Sequence, residues 1–156
     1  PFDKTIDSIV ITNPDADHVG GFSDILKNYE VGMVLESGTL NDSKTYQNLE
    51  AEIKKQNIPD IFAKRGMRLD IGGGAVVDIL FPDRDVSRWD TNDGSIVDKL
   101  SYGETSVMLT GDSTSRTEKI ILELKEPPEI INNEVKKLLE DGVIYEPRPA
   151  RLRYLG

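Results

Sequence analysis

The 156-residue chain lacks cysteine and has a single histidine, His18. The absence of cysteine excludes a disulfide framework, a thiolate zinc site and a cysteine nucleophile, and it leaves the redox compartment undecided. With one histidine, this chain alone cannot build a multi-histidine zinc centre, and a Ser-His-Asp triad would have to use His18. Few kinds of metal or catalytic site therefore remain open to it.

Long apolar runs and an excess of basic residues are also missing. No apolar stretch approaches the roughly 20 residues that cross a bilayer, and the amino terminus does not resemble a signal peptide. Lys and Arg number 19 against 28 Asp and Glu, a formal net charge of -9, which disfavours a broadly basic face for nucleic acid. The length and the 37% hydrophobic content predict a soluble globular protein with one core. Because the chain begins at Pro1, directly before a strand-like stretch, we expect a fragment or a processed protein.

Strand-like and helix-like patterns alternate along the chain, which is typical of an α/β fold. Residues 5–12 predict a buried strand, and from Asp17 onward the apolar residues recur at helical spacing up to Tyr29. Further strands are predicted at 31–35, 61–63, 67–71, 75–81, 95–100 and 105–110, and further helices at 45–56 and 115–125.

The tandem prolines of Glu126-Pro127-Pro128 predict a boundary, because such a pair stops a helix and stiffens a linker. We therefore expect one domain over residues 1–125 and a smaller unit over residues 126–156. In the smaller unit, a helix is predicted at 133–140 and a hairpin from strands at 143–146 and 151–155. This unit has five Lys and Arg against six acids, so a polyanion would approach it most easily.

An acidic loop between the first strand and the first helix is the densest chemical signal. It places Asp15, Asp17 and His18 within four positions, ahead of two glycines. Carboxylates with one imidazole suit a divalent cation. In the alternative, Asp15 or Asp17 caps the helix and His18 only occupies its first turn. The residues alone leave both interpretations open.

The segment Ile11-Thr12-Asn13-Pro14-Asp15-Ala16-Asp17-His18-Val19-Gly20-Gly21-Phe22 resembles the His-x-His-x-Asp-His-x-Gly-Gly signature of metallo-β-lactamase-fold hydrolases. It is most similar to the soluble domain of ComEC-type competence proteins, where the run is His-Pro-Asp-Ala-Asp-His-Ile-Gly-Gly. The resemblance covers about residues 3–125. Four more segments match ComEC segments in the same order, at 62–66, 77–82, 92–97 and 109–112.

The resemblance implies an αββα sandwich and a metal-dependent hydrolase that acts on nucleic-acid phosphodiesters. The strands that precede the signature in this family are missing before Pro1, so the sandwich is expected to be truncated at the amino terminus. A missing segment, a second subunit or a homo-oligomer would then complete the sheet.

Carried over by position, the resemblance implies that Asp17 and His18 bind the second metal. It makes Asp112 the carboxylate that bridges both metals and Asp15 a ligand of the first, while Asp17 also orients the attacking hydroxide as a catalytic residue. In the alternative, Asp112 is a turn residue at a strand end.

Asn13 stands where the family has its first histidine, and an amide oxygen is a weaker ligand than imidazole. A downstream His-His-Gly-Ser segment is also missing. We therefore expect a damaged first site and one hard cation, Mn²⁺ or Mg²⁺ rather than Zn²⁺, or no metal at all. The two functional hypotheses are a weakly active metallo-hydrolase and an inactive scaffold that binds DNA or a protein. β-Lactam hydrolysis, which needs a well-formed zinc site, has less support.

Residues 133–155 resemble the last helix and wing of the winged-helix domain of archaeal minichromosome maintenance helicases. This half winged helix implies DNA contacts by Arg148, Arg151 and Arg153. In the alternative, the hairpin covers the open sheet edge and the arginines are only solvated. The compartment stays open, because ComEC domains face outside the cytoplasmic membrane whereas winged helices of replication proteins are cytoplasmic.

Overall fold

The computed structural model describes residues 3–124 and the backbone of 144–148 and 151–154. The described helices are α1 Ala16–Val19, α2 Phe22–Asn28, α3 Lys44–Lys55 and α4 Ser115–Glu123. The described strands are β1 Thr5–Ile6, β2 Ile9–Ile11, β3 Glu30–Val31, β4 Val34–Glu36, β5 Asp60–Phe62, β6 Arg68–Gly72, β7 Ala75–Phe81, β8 Val97–Tyr102, β9 Thr105–Leu109, β10 Ile144–Arg148 and β11 Arg151–Tyr154.

A parallel sheet of order β2-β4-β5 forms one half of the domain, and β1 pairs with β3 as a separate parallel ribbon. Helix α3 packs on the parallel sheet through Leu49 and Ile53, which are 1% and 2% exposed. It begins where the Ser43 hydroxyl accepts a hydrogen bond from the Tyr46 backbone N–H. Because parallel strands end at the same edge, the loops after β2, β4 and β5 leave the sheet together.

An antiparallel sheet of order β6-β7-β8-β9 forms the other half. Its inner face brings Ile79 and Ile96 against Leu35 and Ala63 of the parallel half. On its outer face, Phe81, Val86 and Val97 form a second cluster with Ile121 of α4. Helix, sheet, sheet and helix thus stack in four layers, which confirms the predicted αββα architecture.

Three predicted elements are each divided in the structure. The strand predicted over residues 5–12 is interrupted at Asp7 and Ser8, since β1 pairs with β3 whereas β2 pairs with β4. The helix predicted from Asp17 is divided at Gly20 and Gly21, residues with low helix propensity. The strand predicted at 31–35 is divided at residues 32–33, since β3 pairs with β1 whereas β4 pairs with β2. The elements after β4 are confirmed to within two or three residues of their predicted ends, including α3, α4 and the seven-residue β7.

In the carboxyl-terminal part, β10 and β11 pair as an antiparallel hairpin with Arg148 opposite Arg151. This pairing confirms the predicted hairpin backbone. The predicted boundary at 126–128 and the predicted helix at 133–140 lie outside the described residues, and the DNA contacts of the three arginines stay a prediction. Among the described residues, no helix combines the length and apolar character required to cross a membrane.

Candidate metal site

The candidate metal site lies where β2 and β9 end side by side. The chain leaves β2 through Thr12 into the acidic loop and α1, and it leaves β9 through Gly111. Gly111 has a φ of +51°, and a Cβ there would lie 3.1 Å from Cβ of Thr12 and 3.3 Å from the Ile96 carbonyl oxygen. Glycine therefore allows the two strand ends to approach, and this approach brings Asp112 to α1.

Asp17, His18 and Asp112 meet at this point. Each offers one ligand atom, and the three atoms lie within 4.8 Å of one another. His18 Nε2 is 3.3 Å from Asp112 Oδ2, and His18 Nδ1 is 3.4 Å from the Thr12 hydroxyl. The side chains of His18 and Asp112 are 24% and 48% exposed. The structure thus brings together three of the residues that the sequence selected, at a position open to solvent.

Asp15 lies outside this cluster. Its Oδ1 accepts a hydrogen bond from Asn41 Nδ2 and its Oδ2 accepts one from the Thr91 hydroxyl, both at 2.8 Å. Its backbone is the N-cap of α1, but its side chain makes no capping hydrogen bond. The side chain of Asp15 therefore neither caps the helix, which was the alternative interpretation, nor joins the three ligands. It ties the acidic loop to two distant loops.

Asn13 also lies outside the cluster and is fully buried. Its Oδ1 accepts a hydrogen bond from the Asp15 backbone N–H at 3.0 Å, and its Nδ2 donates to Ser95 Oγ at 3.3 Å. The amide oxygen that would have to bind a metal is engaged in shaping the loop. Asn13 therefore positions Asp15 and links β2 to the residues before β8.

The remaining donors, two carboxylates and one imidazole, fit one divalent cation with a preference for oxygen ligands, as Mn²⁺ and Mg²⁺ have. Because Asp15 and Asn13 are engaged in hydrogen bonds, the residues at this loop provide a donor set for one ion rather than two.

Comparison with known proteins bears on this site. The family profile described as "Metallo-beta-lactamase superfamily" matches residues 3–156. The chain belongs to the metallo-beta-lactamase superfamily. Membership accounts for the four-layer fold and suggests a metal-dependent, hydrolase-like function.

Among solved structures, the chain is similar to CmlA, a diiron beta-hydroxylase from Streptomyces venezuelae. The identity is 18%, the TM-score is 0.49, and the match covers 85% of this chain and 28% of CmlA. The present chain therefore spans little more than a quarter of the length of CmlA. No curated protein matches the chain.

Sequence reasoning missed the residues that hold the acidic loop in place. Asn41 and Thr91 are 26 and 76 positions from Asp15, so no local spacing connects them with it. The sequence indicates only that both are polar residues in loops that follow predicted strands.

A second carboxylate cluster was also missed, because its members lie on three different elements. Ligand atoms of Glu36, Glu50 and Asp60 lie within 4.8 Å of one another, and the Tyr46 hydroxyl donates to Glu36 Oε2 at 2.9 Å. Burial, and then the charges of Asp60 and Glu50, raise the pKa of Glu36 to about 7. Burial also raises the pKa values of Glu50 and Asp60. The three carboxyl groups therefore favour the protonated form more than exposed carboxyl groups do.

Proposed function

We propose that the protein is a ComEC-type phosphodiesterase that cleaves nucleic acid with one divalent cation, Mn²⁺ or Mg²⁺, held by Asp17, His18 and Asp112. The observation that carries this proposal is the convergence of these three side chains within 4.8 Å at the strand ends. The ordered ComEC-like segments support the nucleic-acid substrate.

The chemistry that the cation supplies when bound is a lowered pKa of a coordinated water and polarisation of a phosphoryl oxygen. The protein's own residues do the rest. Thr12 faces Nδ1 of His18 and orients its ring, so that Nε2 faces Asp112. Asp17 lies on the first turn of α1, exposed to solvent, where its carboxylate orients the attacking water and accepts its proton.

The openness of the site suits a polymeric substrate. The Asp112 side chain, three residues after β9, is 48% exposed, and Asp17 is exposed as well. Two of the three ligands are therefore accessible to a strand of nucleic acid.

A second candidate function is that of an inactive scaffold that binds DNA or a protein partner through Arg148, Arg151 and Arg153. The observation that favours it is the engagement of Asn13 and Asp15 in structural hydrogen bonds, which leaves a reduced ligand set.

The two candidates are separated by incubating labelled single-stranded DNA with Mn²⁺ and the wild type, Asp17→Ala or Asp112→Ala. Asp24→Asn on the exposed face of α2 is a matched control, because that carboxylate pairs with the neighbouring Lys27. We expect cleavage by the wild type and the control, and loss of cleavage in both site variants. Cleavage that persists in both site variants would overturn the enzyme proposal. DNA binding by the wild type without cleavage would favour the scaffold.

A further inference from the structure

A cavity of about 710 Å³ opens at the same edge of the parallel sheet as the metal site. Its walls are the loops that follow β4, β5 and β7, and they include Leu40, Phe62, Lys64, Arg65 and Arg84. The volume lies within the usual range of small-molecule sites. Neither the acidic loop nor the three ligands lines this cavity, so it is a separate feature of the molecule.

Two loops that line the cavity also form hydrogen bonds to the metal-site loop. The loop after β4 lines the cavity with Ser37 and Leu40, and its next residue, Asn41, donates to Asp15 Oδ1. The loop after β7 lines the cavity with residues 83–87, and further along it Thr91 donates to Asp15 Oδ2. Asp15 is two positions before Asp17. Two of the loops that line the cavity are therefore tied through Asp15 to the metal-site loop.

The apolar part of the cavity is uncovered. Phe62 and Leu40 are 59% and 71% exposed. The Phe62 ring lies over Gly38, where a Cβ would come within 3.4 Å of Phe62 Cδ1. An aromatic ring presented in this way is a surface on which a planar ligand stacks.

The charged part of the cavity favours an anion. The lining has Lys64, Arg65 and Arg84 against Asp83 and Asp85, so one positive charge remains. Asp83 pairs with Arg84 through two hydrogen bonds of 2.8 and 2.7 Å, and the charge of Arg65 also acts on Asp83. Lys64 is exposed, and among the described residues no ion pair engages its ammonium group. This positive charge, two positions after Phe62, stands out in a chain of net charge -9.

We propose that this cavity binds one nucleotide of the single-stranded substrate, next to the phosphodiester that is cleaved. Its base stacks on Phe62 beside Leu40, and its phosphate pairs with Lys64. This inference rests on the proposed function, because the substrate class comes from there. The cavity is thus a positioning site for a planar ring joined to a phosphate.

The test measures binding without catalysis. A fluorescein-labelled oligothymidylate is titrated with protein in EDTA, and its anisotropy gives the Kd. We expect Phe62→Ala and Lys64→Gln each to weaken binding about tenfold, in keeping with the loss of one stacked base or one phosphate contact. Phe62→Leu, which keeps the apolar volume, should weaken binding as well, and Lys64→Gln should reduce the salt dependence of Kd.

The matched controls are Tyr102→Ala, an exposed aromatic at the end of β8, and Lys55→Gln at the far end of α3. Both should leave Kd unchanged. Unlabelled thymidine monophosphate should displace the oligonucleotide from the wild type. Equal Kd values for Phe62→Ala, Lys64→Gln and the two controls would overturn the proposal, as would failure of the monophosphate to compete.

Separate measurements test the nucleotide site in the cavity and the proposed phosphodiesterase activity. Asp112→Ala should bind the oligonucleotide in EDTA as the wild type does, and Phe62→Ala should still bind Mn²⁺. Cavity-dependent binding without metal-dependent cleavage would contradict the proposed phosphodiesterase and keep the nucleotide site. Metal-dependent cleavage together with oligonucleotide binding that does not depend on the cavity would contradict the nucleotide site and keep the proposed phosphodiesterase.

Discussion

His18 Nε2 and Asp112 Oδ2 lie 3.3 Å apart, although their positions in the chain differ by 94. One is on the short helix after β2 and the other follows the last strand of the antiparallel sheet. The pair therefore joins the two halves of the sandwich at their common edge, and it depends on the close approach that Gly111 permits. In a metallo-beta-lactamase-superfamily chain, this is the position where an ion held by both halves would also stabilise their packing.

Replacing Asp15 tests its role as the link between loops. Asp15→Ala removes both acceptors of the Asn41 and Thr91 hydrogen bonds, and we expect the free energy of unfolding to fall by about 2 kcal/mol. Asp15→Asn keeps one acceptor oxygen and should lower the free energy of unfolding by a smaller amount. Urea denaturation measures the free energy of unfolding of both variants. A variant Asp15→Ala as stable as the wild type would show that these hydrogen bonds do not hold the loops.

Gly94 is a second test of the same loop contacts. A Cβ at this position would collide with Cγ2 of Thr39 and lie 3.3 Å from Cβ of Val86. We expect Gly94→Ala to lower stability by about 1 to 3 kcal/mol, the usual cost of overpacking. Gly21→Ala is the control, because no heavy atom lies within 4 Å of a Cβ there. Equal melting temperatures for the two variants would contradict the close packing of Gly94.

The carboxylate cluster around Tyr46 predicts a specific dependence of stability on pH. The pKa of Glu36 is about 7 in the folded protein against an ordinary value of 4.5. The folded state therefore holds this proton more tightly than the unfolded state does. The stabilising effect is complete below pH 4.5 and is lost as the pH rises through 7.

Glu36→Gln removes this ionisation and keeps an oxygen that accepts from the Tyr46 hydroxyl. Relative to the wild type, we expect the variant to gain roughly 1 to 3 kcal/mol of stability between pH 5 and pH 8. Unfolding curves at several pH values measure this gain. Glu52→Gln, on the exposed side of α3, serves as the control because Lys55 and Gln56 pair with that carboxylate. A Glu36→Gln difference that is constant with pH would contradict the raised pKa.

Most of the fold was predictable, because amphipathic periodicity reports burial directly. The apolar stripe of Leu49 and Ile53 on α3 and the β-branched run of β7 required no knowledge of their partners. The interruption at Asp7 and Ser8 was not predictable, since it follows from which strand pairs with which. That choice is made by the tertiary arrangement.

The candidate site was predictable where its chemistry is local. Asp17 and His18 are adjacent in the motif, and the resemblance added Asp112. The positions of Asp15 and Asn13 were not predictable, because their hydrogen-bond partners come from distant loops. The second cluster was missed for the same reason, since Glu36, Glu50 and Asp60 belong to β4, α3 and β5.

The central claim is that Asp17, His18 and Asp112 hold one divalent cation. Isothermal titration of the protein with Mn²⁺ tests it most directly, with Asp112→Ala as the site variant and Asp24→Asn as the control. We predict one ion bound per chain by the wild type and the control, and binding weakened at least about tenfold in Asp112→Ala. Heat of binding unchanged by Asp112→Ala, or no heat with the wild type, would contradict the claim.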